Sequence, residues 1–288
     1  MSSTPANLTV VEHVAVLVVV DNTTARSNLL GEHGLALWVE ADDARLLLDT
    51  GQGEALAHNA DRLGLPLGEA DAVVLSHGHY DHTGGLPFVV EKAPSATVVM
   101  HPAGLGPRFS RRDAPPHKPV GVPRRAEAVL RAQEGRIAWN EAPCEVMTGV
   151  WATGKIPRRT DFEDTGGDFY TDPDCRTPDA IPDDQAVFLR TERGLVVLCG
   201  CAHAGLVNTL DFVTQFAGTD EVYAVMGGLH LGRANRDRLE RTAEALERYG
   251  VQVLGPGHCT GAEAIRFFAG RFPDACVGYG AGTWFALA

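Results

Sequence analysis

The 288-residue sequence lacks an excess of positive charge. Its 25 Lys and Arg residues stand against 37 Asp and Glu residues, which gives a formal net charge of -12 at pH 7. This balance argues against nucleic acid or an anionic membrane as a general partner. The chain is nevertheless long enough to bury a substantial core, and we expect one large domain over 1–288.

The sequence also lacks a long apolar run and a dense cysteine framework. Residues 10–20 are apolar, but the run is too short to span a bilayer and is interrupted by Glu12 and His13. Residues 1–7 are polar and lack the basic start of a signal peptide. Six cysteines lie scattered in a chain that is too large to need disulfide bonds for its stability. We therefore expect a reduced, cytoplasmic protein and leave open whether it forms a homo-oligomer.

A cluster of histidines follows one of the apolar strand patterns. Residues 76–85 read Ser-His-Gly-His-Tyr-Asp-His-Thr-Gly-Gly. Neutral imidazole and carboxylate together suit zinc, and also iron or manganese, and the glycines let the backbone bring the side chains together. We expect His77 and His79 to hold one ion. Asp81 and His82 would then face a second ion about 3.5–4 Å away, as in two-metal sites.

Three later strand patterns also end in a glycine-flanked histidine, namely His203, His230 and His258. Each of them, taken alone, could equally be a buried histidine of the core. Ligand sites, however, gather at one edge of an α/β sheet, so we expect the three to lie together. His101 ends another strand pattern without a companion and is kept only as a candidate pocket residue. The helix predicted at 206–216 follows His203 directly. The backbone N–H groups at its amino end could hold an anion beside this histidine.

The stretch at about 104–184 loses regular periodicity and collects proline and arginine. An isolated charge run is usually a solvated face, but these cations stand against an acidic chain, and guanidinium matches phosphate or carboxylate geometry. We interpret the stretch as a loop-rich insertion that binds a small anionic substrate. Arg158 and Arg159, beside a Gly/Pro turn, are the favoured phosphate contacts. Further candidates are Arg108, Arg111 and Arg112.

The pattern His-x-His-x-Asp-His after an apolar strand resembles the metallo-β-lactamase superfamily, whose α/β fold is an αββα sandwich. Other phrases resemble one branch of it, the 7,8-dihydropterin-6-methyl-4-(β-D-ribofuranosyl)aminobenzene-5'-phosphate synthase-like proteins. The phrases that carry this resemblance are residues 21–22, 30–35, 49–51, 76–85, 154–163, 183–186, 200–208, 227–231 and 256–261. The resemblance therefore runs through nearly the whole chain.

The resemblance implies roles for individual residues. The superfamily ligands map onto His77, His79, Asp81, His82 and, as the last ligand, His258. Asp49 would support the metal loop without touching a metal. We assign catalysis to Asp81, His203 and His230, and a substrate contact to His230 as well.

The chain departs from the superfamily pattern in two places. Residues 183–185 read Asp-Asp-Gln where an earlier histidine ligand is expected, and Gly200-Cys201 stands where a bridging aspartate is expected. His203 is the natural replacement ligand, so we expect substitution of Asp183 to be milder than substitution of His203. For Cys201, a thiolate ligand and a small buried residue both stay open.

These observations favour a hydrolase with a dinuclear metal site that acts on an anionic, phosphorylated small molecule. Water made nucleophilic by two divalent ions, with zinc as the first choice, would attack an ester or phosphoester. The branch resemblance implies an alternative, a transferase that joins a pterin-methyl diphosphate to an arylamine ribose phosphate with release of diphosphate. A second alternative is a metal-binding sensor without turnover, because fold alone does not set function.

Overall fold

The structure is a computed structural model that describes residues 8–288. Residues 1–7, on which the expectation about a signal peptide depends, lie outside the described residues. Within 8–288, no helix is long and apolar enough to cross a membrane.

Sixteen strands and seven α-helices make up the described chain. The strands are β1 (Val14–Val20), β2 (Ala36–Ala41), β3 (Ala44–Leu48), β4 (Ala72–Val74), β5 (Thr97–Met100), β6 (Phe109–Ser110), β7 (Lys118–Pro119), β8 (Ile137–Trp139), β9 (Cys144–Met147), β10 (Val150–Ala152), β11 (Phe169–Tyr170), β12 (Ala186–Thr191), β13 (Gly194–Cys199), β14 (Val222–Gly228), β15 (Val253–Gly257) and β16 (Trp284–Ala286). The helices are α1 (Glu54–Leu63), α2 (Tyr80–Thr83), α3 (Leu86–Lys92), α4 (Arg124–Ala132), α5 (Leu206–Ala217), α6 (Arg236–Arg248) and α7 (Ala262–Arg271).

Two mixed sheets lie face to face between two layers of helices. The first has the strand order β16-β1-β2-β3-β4-β5-β8 and the second the order β15-β14-β13-β12-β10-β9. Helices α1, α3 and α4 cover the outer face of the first sheet, and α5, α6 and α7 cover the outer face of the second. The predicted α/β fold, an αββα sandwich, is confirmed.

Strand β1 shows why the sheet strands read as continuous apolar runs in the sequence. Val16 and Val18 pack between the two sheets, whereas Leu17 and Val19 pack beneath the helices. Both faces are therefore buried, and alternation with polar residues would leave unpaired groups in the core. Burying one such side chain stabilises the fold by about 1.5–3 kcal/mol.

The parallel strands position the candidate site. Strands β3, β4, β5 and β8 run parallel in the first sheet, and β13, β14 and β15 run parallel in the second. The rings of His77, after β4, and His203, after β13, lie only 4.7 Å apart between centroids. The carboxyl ends of both sets of strands therefore meet at one edge of the sandwich.

The stretch 104–184 is more ordered than we predicted. Strand β8 extends the first sheet, β9 and β10 extend the second, and α4 packs on α3. Only the segments between these elements fit a loop-rich insertion, and they carry a small sheet of order β11-β6-β7. Helix α4 escaped prediction because its buried side chains are only Ala126 and Leu130. The added strands are too short for their periodicity to be read.

Helices α2 and α3, at and after the histidine cluster, are separated by Gly84-Gly85. A Cβ atom at Gly84 would lie 2.5 Å from the carbonyl oxygen of Gln52, and one at Gly85 would lie 2.2 Å from that of Thr50. Glycine is therefore required where this segment passes against the chain after β3. The close approach holds the metal loop, residues 76–85, against the end of β3.

Candidate metal centre

A single buried carboxylate organises the metal loop. Asp49 at the end of β3 accepts hydrogen bonds from the backbone N–H and the hydroxyl of Ser76, each at 2.7 Å. Its Oδ2 also lies 2.7 Å from Nδ1 of His82. A carboxylate can only accept here, so His82 carries a proton on Nδ1 and Nε2 is the atom that it presents to the site. This carboxylate–histidine contact is the kind that orients a metal ligand.

A second carboxylate, Asp183, holds the loop from the other side. Its Oδ2 accepts the backbone N–H of Gly78 at 2.8 Å and a hydrogen bond from Nη1 of Arg108 at 2.9 Å. Nη2 of Arg108 bonds the other oxygen of Asp183, and Nε lies 3.0 Å from Asp179. All three charged side chains are buried. Asp183, expected to be remote from the site, thus supports the metal loop directly.

The first group of candidate ligands is His77, His79 and His203. Their ligand atoms lie within 4.8 Å of one another, and Nε2 of His79 and of His203 are buried without a hydrogen-bond partner. Burial lowers the pKa of all three imidazoles well below their ordinary value, and for His79 it outweighs the opposite effect of Asp81. They are therefore neutral at pH 7, which is the form that binds a metal.

A backbone contact fixes the tautomer of His203. Its Nδ1 lies 2.7 Å from the carbonyl oxygen of Thr165, which can only accept a hydrogen bond. The proton is therefore on Nδ1, and the lone pair of Nε2 faces His77 and His79. Beneath it, Asp184 accepts the N–H of Ala204 at 2.7 Å, and burial raises the pKa of this carboxyl to about 7.

The second group is Asp81, His82 and His258. Oδ2 of Asp81 lies 3.8 Å from Nε2 of His82 and 3.5 Å from Nε2 of His258, and the two Nε2 atoms are 3.2 Å apart. Two ligands of one tetrahedral zinc ion lie about 3.3 Å apart, given bonds of 2.0–2.1 Å. Burial acts to raise the pKa of Asp81, but His82 and His33 outweigh it and hold the carboxyl ionised.

Cys201 lies between the two groups. Its Sγ is 3.2 Å from Nε2 of His82, and it also falls within ligand range of His77. The preceding residue, Gly200, must be glycine, because a Cβ there would lie 2.0 Å from the hydroxyl of Ser76. A thiol thus stands where the superfamily pattern has a bridging carboxylate. Together the two groups and this thiol supply nitrogen, oxygen and sulfur ligands that fit divalent transition-metal ions.

The five arginines proposed as phosphate contacts lie elsewhere. Arg108 is committed to its buried ion pairs, and Arg111 packs its guanidinium 4.3 Å above the ring of Tyr170. Arg158 donates to the carbonyl of Ala180, Arg159 donates to the side chain of Gln215, and the backbone of Arg112 donates to His117. None of the five lines the cavity at the metal centre. Their positions do not support the predicted phosphate clamp.

The amino end of α5 does not offer an open anion site either. The side chain of Glu163 accepts the backbone N–H groups of Val207 at 2.8 Å and Asn208 at 2.9 Å. A Cβ at Gly205 would lie 2.4 Å from this carboxylate. Glu163 therefore replaces the external anion that we predicted, and it ties the loop that carries Thr165 to α5.

A cavity of about 150 Å³ opens onto the metal centre. It continues into an outer groove of about 350 Å³ through shared walls at His33, Ser110, Phe169, His230 and Cys259. His230 stacks against His203 with 4.3 Å between ring centroids, and its Nδ1 is buried without a partner. The cleft is therefore elongated, with the candidate ligands at its inner end.

Lys118 and Arg233 supply positive charge to this cleft. Nζ of Lys118, in the inner cavity, donates to the hydroxyl of Tyr80 at 2.7 Å, and no carboxylate in the described range 8–288 lies within 4.0 Å of it. Arg233 lines the outer groove, is exposed, and lies 3.8 Å from Asp168. Sequence reasoning missed Lys118 because a single lysine in an irregular segment carries no pattern.

His33 was also missed. Its Nε2 lies 3.1 Å from Oδ2 of Asp81, and it forms a group of potential ligands with Asp81 and His258. The residue lies in the loop before β2, where neither a strand end nor a neighbouring ligand marked it. The one available signal was its place in the phrase 30–35, which carried the branch resemblance.

Comparison with known proteins agrees with this geometry. A family model described as the metallo-beta-lactamase superfamily matches residues 30–174, half of the chain. The chain belongs to this superfamily. The 7,8-dihydropterin-6-methyl-4-(beta-D-ribofuranosyl)-aminobenzene-5'-phosphate synthase of Methanocaldococcus jannaschii is 29% identical over 254 residues, which cover 84% of this chain and 86% of that protein. The uncharacterized protein MJ0448 of the same organism is 25% identical over 249 residues and covers 86% and 91%, respectively.

Two solved structures share the same fold. Tm1679, described as a metal-dependent hydrolase of the beta-lactamase superfamily, is 27% identical with a TM-score of 0.79, over 95% of this chain and 98% of that one. Igni18 of Ignicoccus hospitalis, a metallo hydrolase, is 14% identical with a TM-score of 0.54 over 96% and 99%. The latter likeness concerns the fold alone.

Replacement of His203 by alanine should remove one ion from the first ligand group. The variant loses the one member of that group that the second sheet contributes. Metal content after dialysis, measured by native mass spectrometry, should fall by one ion per chain. His101→Ala is the matched control, because His101 is equally buried but belongs to neither group. Unchanged metal content in His203→Ala would exclude His203 as a ligand.

Replacement of Asp183 by alanine should destabilise the fold strongly. From the sequence we expected only that it would reduce activity less than His203→Ala. The change leaves the buried guanidinium of Arg108 short of a partner and frees the Gly78 N–H, at a cost of about 3–5 kcal/mol. Urea denaturation measures this loss. Asp183→Asn keeps an acceptor oxygen and should lose less, and the exposed Asp174→Ala should be nearly neutral. Equal stability of Asp183→Ala and Asp174→Ala would contradict this support role.

Proposed function

We propose that this chain is a metal-dependent transferase that joins a pterin-methyl diphosphate to an arylamine ribose phosphate and releases diphosphate. The observation that carries the proposal is the similarity to the Methanocaldococcus jannaschii synthase over 84% of the chain. The elongated cleft supports it, because two substrates must lie side by side next to the ligand groups. The hydrolase that we first favoured becomes the second candidate.

The proposed reaction needs only substitution at carbon. The amine nitrogen attacks the methylene carbon attached to the pterin, the carbon–oxygen bond to the diphosphate breaks, and the nitrogen loses a proton. Bound divalent ions would supply positive charge that stabilises the departing diphosphate. The protein must then hold the two substrates in line, provide further charge and let the proton leave.

Side chains of the cleft match these requirements. Lys118 has no carboxylate partner within the described range, and its ammonium can contact a phosphate group beside the ions. The ring of Phe169 faces the cavity 4.9 Å from His79 and offers a surface on which a flat ring can stack. His230 borders the same cavity and can contact the amine, whose proton can leave to solvent through the open outer groove.

A hydrolase is the second candidate, and the likeness to Tm1679 favours it. In that case water takes the place of the amine, and the same cleft holds a phosphorylated ester. Product analysis separates the two reactions. A pterin-methyl diphosphate supplied with the arylamine ribose phosphate should yield the joined product and diphosphate. If the hydroxymethyl pterin forms equally fast with and without the amine, the chain is a hydrolase. Metal binding without turnover of either kind would favour a sensor.

Lys118→Met should weaken binding of the phosphorylated substrates. The substitution keeps most of the side-chain length but removes a charged contact worth about 1.5–3 kcal/mol, so KM should rise by roughly ten- to a hundredfold while kcat changes less. Steady-state kinetics measures both constants. Lys92→Met, on the surface helix α3, is the matched control and should behave as the unaltered protein. If Lys118→Met and Lys92→Met share one KM, the inner cation does not bind substrate.

A further inference from the structure

A pair of thiols lies beside the two ligand groups and has no role in the proposed reaction. Sγ of Cys259 is 3.3 Å from Sγ of Cys201, and neither residue forms a disulfide. Together with His230 they form a third group whose ligand atoms all lie within 4.8 Å of one another. Cys201 follows β13, His230 follows β14 and Cys259 follows β15, so the ends of three neighbouring strands converge on one point.

The surrounding backbone keeps room for this cluster. A Cβ at Gly228 would lie 2.7 Å from Sγ of Cys259, and a Cβ at Gly166 would lie 2.0 Å from the ring of His230. His230 also adopts a left-handed backbone conformation, with φ of 45°, which is unfavourable for a non-glycine residue. Its buried Nδ1 has no hydrogen-bond partner, so no protein group of the described chain satisfies that atom.

The chemistry of the cluster suits a thiophilic cation. Two sulfur ligands and one imidazole are a known zinc ligand set, and three protein ligands leave one coordination position open. Two thiolates on one zinc ion with bonds of 2.3 Å lie about 3.8 Å apart, so a small outward movement of the thiols would admit the ion. A disulfide would need the sulfurs at about 2.0 Å, which is a larger displacement in the opposite direction.

We propose that Cys201, His230 and Cys259 form a further binding position for a thiophilic divalent ion such as Zn²⁺ or Cd²⁺. Cys201 is shared with the adjoining ligand group, whereas Cys259 belongs to this position alone. Cys259 and His230 line both the inner cavity and the outer groove, so the open coordination position faces the cleft. This inference goes beyond the proposed function, because the ion binds whether or not the chain turns over a substrate.

Titration of the full-length protein with Cd²⁺ tests the proposal, because cadmium thiolates absorb in the near ultraviolet and the bound ions can be counted by native mass spectrometry. Cys259→Ser should bind one ion fewer than the unaltered chain and lose at least half of the thiolate absorbance, because Cys201 can then absorb only through an ion in the adjoining ligand group. Cys276→Ser, which alters a half-buried cysteine outside the cluster, should change neither quantity.

Two further variants keep the test decisive. Cys259→His retains a metal ligand, so it should restore the ion count while the absorbance stays reduced; this separates loss of a ligand from damage to the fold. His230→Ala should lose the same ion as Cys259→Ser. The proposal is overturned if Cys259→Ser matches the unaltered chain in both ion count and absorbance, or if Cys259→His fails to recover the ion although its circular dichroism is unchanged. Neither readout depends on catalysis, so failure of the transferase assay would leave this result intact.

Discussion

The candidate site depends first on the buried carboxylate of Asp49. This one side chain accepts hydrogen bonds from the backbone N–H and the hydroxyl of Ser76 and from Nδ1 of His82. It therefore fixes the histidine-bearing turn at its start, Ser76, and near its end, His82. Its burial is tolerated because every one of these contacts comes from a donor. Loss of the carboxylate would free the orientation of His82 and, with it, the second ligand group. Such dependence explains why an aspartate in an ordinary strand-end turn carries more weight than its local sequence suggests.

The site lies where the two sheets meet, and charged side chains hold the ligands of each sheet in position. On the first sheet, Arg108 and Asp183 hold the metal loop from outside the strands. On the second, Glu163 binds the amino end of α5 and keeps the neighbouring Thr165 carbonyl against Nδ1 of His203. The irregular stretch between the sheets therefore holds the metal loop and His203 in position through these contacts. Its arginines stabilise that framework, and the positive charge that lines the cleft comes from Lys118 and Arg233.

Many strands could be predicted because they are buried on both faces, read as continuous apolar runs, and end in aspartate or in histidine flanked by glycine. The gathering of His203, His230 and His258 at one edge follows from such patterns, whereas the sandwich was predicted from the resemblance to the metallo-β-lactamase superfamily. Strand β8 and helix α4, which bury few side chains, leave no periodic signal and were missed. Contacts between distant segments were equally invisible. Nothing local in the sequence indicates that Asp183 would bond Gly78, that Glu163 would occupy the α5 donors, or that Lys118 rather than Arg158 would face the cleft.

The central claim is that His203 completes a two-group metal centre from which the usual bridging aspartate is missing. Anomalous diffraction at the zinc absorption edge, from crystals grown with zinc, tests it most directly. We predict one peak within about 2.0–2.1 Å of nitrogen atoms of His77, His79 and His203, and another bonded to Asp81, His82 and His258. A peak beside His77 and His79 with Nε2 of His203 well beyond bonding distance would contradict the account, as would the absence of any peak between the two sheets.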